Sequence, residues 1–490
     1  MSLAQRTSII LQPNPQRVLS RLFIPGEEEL IRGTSRAQSV LDRCLRLSEE
    51  AVIQTLNNTI LRFSDRHRNL TEQFQLHFSA VEGLLPSDVD ISPERKLLIG
   101  SYFTQEYSFE SAAYFNPSMI PHPDQSGLSF GYLRIILSIR AVGEGHISSL
   151  VFRSGIINPA GEVLIDTSPR FATTHANRYS MLNNRLVHQS AADMGMDTDE
   201  LDLILGMLPE KFTPEELDMT VSQLHFNHSM NTAPSPVRDI LQNIAHSSYE
   251  VDFDAKVPIS EQVLWPTASD ERRGIEDARW VRFTEPNGDV LYRATYTGFD
   301  GQTVRTRIFE TRNFMNYSST HLTGSAITNK GVAFFPRKIG DKYMALSRWD
   351  RESNSIALSD DGYHWDEAVT FQEAAHPWEL VHIGNCGSPI ETNAGWLVIT
   401  HGTGPVREYS LGAILLDLED PTKIIAQLNE PLLVANARER DGYVPNVVYS
   451  CGGLIHNGTL FLPYGFSDQS TSLITVSVAD LIGQMTPIGA

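Results

Sequence analysis

The chain has 490 residues, 41% of them hydrophobic and 20% charged, which fits a soluble globular protein too long for one ordinary core. Its formal net charge of −20 repels nucleic acid and anionic membrane surfaces, so neither is an expected partner. No apolar run reaches the ~18–20 residues of a membrane span, the N-terminus has no secretory pattern, and the three scattered cysteines, Cys44, Cys386 and Cys451, fit neither a disulfide framework nor a zinc site. A reducing cytoplasm is the expected compartment.

Residues 1–27, with Pro13, Pro15 and Pro25, read as an extended arm. From 28 to 110 the pattern is helical. SRAQSVLDRCLRLSEEAVIQTLNNTILRF (35–63) repeats apolar residues at spacings of four and seven, LTEQFQLHFSAVEGLL (70–85) does the same, and Ser92-Pro93-Glu94 signals a capped start. FNPSMIPHPDQSG reads as a Pro-rich loop carrying Asn116 and Asp124, whose side chains suit turn chemistry as well as a site. LRIILSIRA is a strand, and HISSLVFRSGIINPAGEVLI is two more around Asn158–Gly161, so 111–165 opens a β region. Helix signals return over 166–254, where DTDELDLILGML and TPEELDMTVSQLHF have cap residues and early acids, and this segment reads as a helical insertion. Over 255–490 short strands alternate with PNGD, FDGQ, IGDK, SDDG, NAGW and HNGT turns, the pattern of a sandwich, barrel or propeller. SDDGYHW (359–365), a turn ending in tryptophan, favours the propeller.

ERRGIEDARWVRF (271–283) places Glu276, Asp277 and Arg279 at the mouth of a hairpin, either as a solvated ion pair or as a carboxylate held by its neighbours. Lys330 and Arg348 flank the strands of a second hairpin, with Lys338 and Lys342 in its solvated turn. Beside Trp349, Arg348 suits a fixed guanidinium forked onto an oxyanion. The small side chains of IGNCGSPI leave backbone for close packing. Beyond it, His401, Arg407 and Tyr409 offer donors to an anion or a sugar. Asn446 follows a proline and Asp468 ends the strand LFLPYGF, fitting a turn cap or a grip on sugar hydroxyls. No Walker loop, GxSxG, HExxH or dinucleotide fingerprint is present, and carboxylates at strand ends of a β protein point to carbohydrate.

GIEDAR (274–279), RATYTGFDG (293–301), NKGVAFFPRKIGDKYMALSR (329–348), HIGNCGSPIETNAGWLVITHG (382–402), YSLGAILLDLEDP (409–421), VPNVVYSCG (444–452) and YGFSD (464–468) occur in an order that resembles glycoside hydrolase family 130, the β-mannoside phosphorylases and related β-mannosidases. The resemblance covers roughly 111–165 and 255–490. It implies a five-bladed β-propeller with a central site; with the helical N-terminal extension and helical insertion read above, which it does not cover, the expected chain is mainly β. It implies that Asp277 is the general acid, protonating the glycosidic oxygen through the 3-hydroxyl of a bound mannosyl unit. Phosphate attacks the opposite face and α-mannose 1-phosphate leaves. Arg348, His401 and Tyr409 match phosphate-site positions and Lys330 a further basic one. His382 stands where many phosphorylases carry lysine. Asn116, Arg140, Glu276, Arg279, Asn446 and Asp468 fall to the sugar site. Ala278 replaces the usual proline after the acid. No cofactor or metal is implied, with inorganic phosphate as co-substrate and a β-mannoside oligosaccharide as substrate. The alternatives are an inverting hydrolase using Glu276, Glu379 or Glu408 to activate water, and a non-catalytic sugar-binding propeller. The helical segments are expected to cover one propeller face, lengthen the wall of the site or build a homo-oligomer interface.

Overall fold

The computed structural model describes residues 3–25, 35–86, 89–227 and 236–488. The join between arm and helical region, 26–34, lies outside the described residues. Four helices follow, Arg36–Leu45, Glu49–Phe63, Leu70–Val81 and Pro93–Tyr102. Ser35, Ser48 and Ser92 each accept a hydrogen bond from the backbone N–H three residues on, so the periodic stretch 35–63 is broken into two helices where Ser48 recaps the chain. Leu41 and Cys44 pack on Phe78, Ile99 and Phe103.

The N-terminal arm is not loose, as its prolines suggest, but built into sheets. Gln5–Leu11 pairs antiparallel with Ser470–Ser477, and Leu19–Leu22 pairs with Thr104–Tyr107. Pro13 and Pro15 fall between the two strands, where no ladder N–H is needed.

The rest is mainly β. An eleven-stranded sheet holds two antiparallel meanders. The first runs through Ala113–Pro121, Leu133–Val142, Ser148–Ile157 and Val163–Ile165, and the second through Gly274–Thr284, Val290–Phe299, Val304–Thr311 and Asn316–His321. They meet where Gly274 pairs in parallel with Ser148. A four-stranded sheet covers Ala333–Phe334 to Glu367–Gln372. A seven-stranded sheet is built on His382–Asn385, Gly395–Thr403, Tyr409–Leu416 and Ile424–Gln427. A five-stranded sheet joins Val448–Tyr449, Thr459–Phe466 and Ser470–Ser477 to the N-terminal strand.

The stretch FNPSMIP, expected as a loop, is an inner strand. The pairing of Ala113–Pro121 with its neighbour slips between Phe115 and Ser118, and this bulge accommodates Pro117, which has no N–H to give the ladder. Asn116 therefore sits on a buried strand. Asp124 lies beyond it in an exposed turn, 3.2 Å from Arg134 and outside the cleft described below.

Apolar clusters fill the spaces between successive groups of strands. Phe152 of the first meander meets Trp280 and Tyr296 of the second. Phe283 of the second meets Phe334 and Trp365 of the four-stranded sheet. Leu346 meets Trp396 and Ile414 of the seven-stranded sheet. Leu397 and Leu411 meet Leu460 and Ile474 of the five-stranded sheet. Phe461 and Leu473 meet Met119 and Leu137 of the first meander. In SDDGYHW, Asp361 accepts from the backbone N–H of Tyr363 (2.8 Å) and His364 (2.9 Å), and Trp365 is driven into the core to stack on Phe334.

Helices Asn184–Asp193, Asp199–Gly206, Pro214–Asn227 and Pro236–Ser247 make their own core from Leu201, Ile204, Phe212 and Leu241. The chain enters and leaves this unit through Ala176–Tyr179 and Tyr249–Asp252, which pair with each other and, through the latter, with the last strand of the second meander. The unit thus hangs on the outer edge of that meander.

Deleting residues 1–11 would strip the edge from Ser470–Ser477 and expose an unpaired apolar strand. The expected result is a lower thermal midpoint and concentration-dependent association, read by differential scanning calorimetry and size-exclusion chromatography.

Candidate active site

The inner strands converge on a cleft of about 450 Å³. Asn116 and Asp277 come from the first strands of the two meanders, His382 and Tyr449 from the first strands of the seven- and five-stranded sheets, and Lys330 from just before Ala333–Phe334. Arg140, Arg348, His401, Tyr409 and Asp468 complete the expected residues in the lining, and Arg279 joins them. No described residue of 3–110 or 166–254 lines the cleft.

At one end Asn116 Nδ2 donates to Asp277 Oδ1 at 2.7 Å, and Arg140 Nη1 donates to the same oxygen at 3.1 Å. Among the described residues the second carboxylate oxygen has no hydrogen bond. Arg140 Nη2 binds Glu276 Oε1 at 2.7 Å, and Lys330 Nζ binds Glu276 Oε2 at 2.6 Å. Glu276 is therefore a buried link between two cations and is absent from the cleft lining. The second meander's first strand is bulged between Glu276 and Arg279, as the first meander's is beside Asn116. Both bulged residues are left-handed, Asn116 at φ 51° and Asp277 at φ 54°. Of the eleven non-glycine residues with positive φ among the described residues, Asn116, His146, Asp277, Arg407 and Asp468 line this one cleft. Strain concentrated in this way marks a functional site.

Burial by itself raises the pKa of Asp277, but Arg140, Arg279 and Lys330, with the Asn116 hydrogen bond, outweigh it and hold the carboxyl below the usual range. Asp468 goes the other way: burial and the neighbouring Asp277 charge push it up to about 6. Two carboxyls in one cleft thus have separated affinities for a proton.

At the other end Arg348 Nη1 lies 3.1 Å from His401 Nε2. Guanidinium can only donate, so His401 accepts through Nε2 and carries its proton on Nδ1. Burial, then Arg348, His382 and Arg279, hold the His401 pKa well below its usual value, so the ring is neutral. His382 is also lowered, by burial and by Arg348 and Arg407. Its ring stands 5.8 Å from His401 and 5.6 Å from Tyr409, and His401 stacks on Tyr409 at 6.3 Å. Two buried donors here have no partner among the described residues, Arg348 Nε and His401 Nδ1. Gly384 permits this packing: a Cβ there would lie 2.5 Å from His401 Cε1 and 2.6 Å from Arg348 Cδ.

Arg279 is 2% exposed, and each of its three nitrogens donates a hydrogen bond. Nε donates to the Cys386 carbonyl at 2.8 Å, Nη1 to the Asp277 carbonyl at 2.8 Å and Nη2 to the Tyr449 hydroxyl at 2.7 Å. Asn446 is outside the lining: its side chain accepts from Arg440 Nε at 3.2 Å, while its carbonyl accepts from the Tyr409 N–H at 2.9 Å. Its contact with the site therefore runs through the Tyr409 backbone. Glu379 is buried and accepts from the N–H groups of Ala375 and His376, and Glu408 does not line the cleft. Tyr449, His146, Tyr443 and Asn329 line the cleft without having been singled out in the sequence. Tyr449 lay within VPNVVYSCG, and its partner Arg279 would have pointed to it only if the fold were known.

The family model described as beta-1,4-mannooligosaccharide phosphorylase, glycoside hydrolase family 130, matches residues 236–486, just over half of the chain. The chain belongs to glycoside hydrolase family 130. Family members similar to it include a 1,2-beta-oligomannan phosphorylase from Thermoanaerobacter sp. (strain X514), 33% identical over 46% of this chain and 75% of the relative. A beta-1,2-mannobiose phosphorylase from the same organism is 35% identical over 46% of this chain and 72% of the relative. The solved beta-1,2-mannobiose phosphorylase of Listeria innocua overlays 77% of this chain and 92% of its own at 20% identity and a TM-score of 0.46. The family match includes Asp277, Arg348, His382, His401, Tyr409 and Asp468, whereas Asn116 and Arg140 lie before it.

Two outcomes are expected of this geometry. Because the Asp468 pKa of about 6 exceeds the ~3.9 of an unfolded aspartate, the folded chain binds the extra proton, and this group's contribution to stability falls as pH rises between those values. Asp468→Asn should therefore stabilise the protein by about 1–2 kcal/mol above pH 6, allowing for partial exposure, and by little near pH 4, in urea titrations. Gly384→Ala should lower the urea midpoint at every pH, since the added methyl displaces Arg348 and His401.

Proposed function

We propose that this chain catalyses inverting phosphorolysis of β-mannosides, giving α-mannose 1-phosphate and a sugar shortened by one unit. The observation that carries the reading is the pairing, in one cleft, of Asp277 gripped by Asn116 and Arg140 with a separate cluster of anion donors at Arg348, His401, His382 and Tyr409. An inverting displacement needs an acid on one face of the sugar and space for an external nucleophile on the other. A phosphate dianion needs preorganised donors in a site shielded from water. The similar relatives, named as phosphorylases of β-1,2-linked mannosides, support this class and make that linkage the first to test.

The roles are assigned accordingly. Asp277 is the acid. Arg348, His401, Tyr409 and His382 hold phosphate. Asn116, Arg140 and Asp468 hold the mannosyl unit, and Lys330 and Glu276 fix Arg140 in place. Arg279 and Asn446 shape the site through the backbone. We read the eleven-stranded sheet as two blades and the other three large sheets as one each, a five-bladed propeller over 111–165 and 255–490. The cyclic order of apolar clusters between neighbouring strand groups supports it. Residues 1–110 are then an arm and helical extension, and 166–254 a helical insertion. A reducing, cytoplasmic setting suits the three buried free thiols.

In the free protein Asp277 is ionised at neutral pH, because the surrounding cations lower its pKa. An acid must be protonated to act. A bound phosphate dianion supplies the opposing charge that raises it, so acid function is coupled to occupancy of the phosphate end. The hydrolase alternative lacks support from Glu276, Glu379 and Glu408, which are ion-paired, capping or outside the lining.

The test is a panel of β-mannosides incubated with and without inorganic phosphate, with mannose 1-phosphate and mannose assayed separately. Mannose 1-phosphate formed only with phosphate is expected, and free mannose at equal rates without it would replace the reading with hydrolysis. Asp277→Asn should lower kcat by about 10²–10⁴-fold. At saturating phosphate, kcat should decline as pH rises through the pKa of Asp277 in the ternary complex, and that value should lie above the one found for free enzyme by carboxyl NMR titration.

A further inference from the structure

Resting on the phosphorolysis reading, the phosphate end has a charge deficit. Arg279 places three of its five N–H groups on two carbonyls and a hydroxyl. His401 is an acceptor toward Arg348 and is neutral, as is His382 at neutral pH. Lys330 is committed to Glu276. Arg348, whose Nε has no partner among the described residues, is the cation of this end least engaged by the protein.

Arg407 also lines the cleft, within electrostatic reach of both His382 and Asp468, with no ion pair to a carboxylate within 4.0 Å among the described residues. In a chain with 59 acidic residues against 39 basic ones, an unpaired arginine at a cleft is conspicuous. It sits on the turn of the hairpin whose strands, Gly395–Thr403 and Tyr409–Leu416, carry His401 and Tyr409. Its guanidinium lies 5.9 Å from the Tyr409 ring centroid. The turn is closed by Gly404 N–H donating to the Glu408 carbonyl at 2.9 Å. Within it Val406 and Arg407 are both left-handed, at φ 57° and 59°. A β-branched residue adopts that conformation only at a cost. Val406 is 88% exposed, so apolar burial does not offset that cost. The strained turn's visible result is the position of Arg407.

We propose that Arg407 is a phosphate-binding residue, supplying the second permanent cation at the phosphate end of the cleft from the strained turn that joins the His401 and Tyr409 strands. Arg348 contacts His401, Arg407 lies over Tyr409, and both act on the His382 ring, so a phosphate bound beside His382 is within reach of both guanidinium charges. Burial first, and then Arg348 and Arg407, keep the His382 imidazole neutral, so the permanent charge there comes from arginine.

The experiment is calorimetric titration of the full chain with inorganic phosphate, and separately with β-1,2-mannobiose, for wild type, Arg407→Gln and Arg407→Lys. Arg407→Gln should weaken phosphate about tenfold, the loss of one charge-assisted contact, and leave mannobiose within twofold. Arg407→Lys should recover most of the phosphate affinity. Unchanged phosphate affinity in Arg407→Gln, with a far-ultraviolet spectrum matching wild type, overturns the proposal. So does a weakening of mannobiose instead, which would put Arg407 at the sugar end and leave phosphorolysis standing. Absence of phosphate binding by the wild type overturns the proposal too, and phosphate-independent release of mannose would then show that the phosphorolysis reading has failed with it.

Discussion

The guanidinium of Arg279 ties the site together. It reaches from the second meander to a carbonyl beside the first strand of the seven-stranded sheet and to a hydroxyl on the first strand of the five-stranded sheet. It also binds the carbonyl of Asp277, closing the bulge that aims that side chain. A buried arginine is tolerated when its donors find partners, and here they are a carbonyl on its own strand, a carbonyl just past His382–Asn385 and a hydroxyl on Val448–Tyr449. Cutting any one leaves a buried charge short of a partner, so the relative placement of acid and anion cluster is fixed by a requirement for satisfaction rather than by apolar packing alone.

Around that hub the charges are sorted. Asp277 and Asp468 share one end with Arg140 and Lys330, where burial, attraction and repulsion lower the pKa of the first and raise that of the second. The other end holds rings whose neutrality is enforced by burial beside arginine. The global charge of −20 makes this local excess of donors meaningful, because a solvated basic surface would reach the same anion at the wrong place.

Much of this is legible in the sequence, and the failures are instructive. Asp277, Arg348, His401, Tyr409 and Asp468 stand beside turn and strand signals strong enough to be picked out, and all line one cleft. Asn116 was assigned to a loop because proline argues against a strand. Only pairing with a neighbouring strand reveals that Pro117 falls in a bulge. Asn446 looked like a ligand residue because it follows proline, yet it works through its carbonyl, which residue identity does not encode. From the sequence, Glu276 and Arg140 fall to the sugar site and Lys330 to the phosphate site, whereas the distances join all three in one ion-paired chain. Tyr449 and Tyr443 were missed because aromatic residues in β sequences are usually core. The left-handed residues are invisible for the same reason: nothing in the letters marks Val406 as strained.

The pairing of Gln5–Leu11 with Ser470–Ser477 has a consequence for synthesis. This strand is made long before its partner, since the hydrogen-bonded Thr7 and Leu473 are 466 residues apart in the chain. Contacts of such separation close slowly, and the waiting strand is an unpaired edge. The N-terminal helices, which have their own small cores, can fold early beside it. They occupy the chain during the interval and reduce the time for which the arm is the only emerged segment. The strand's few apolar positions and its serine, threonine and arginine suit a segment that must stay soluble until the C-terminal strands arrive.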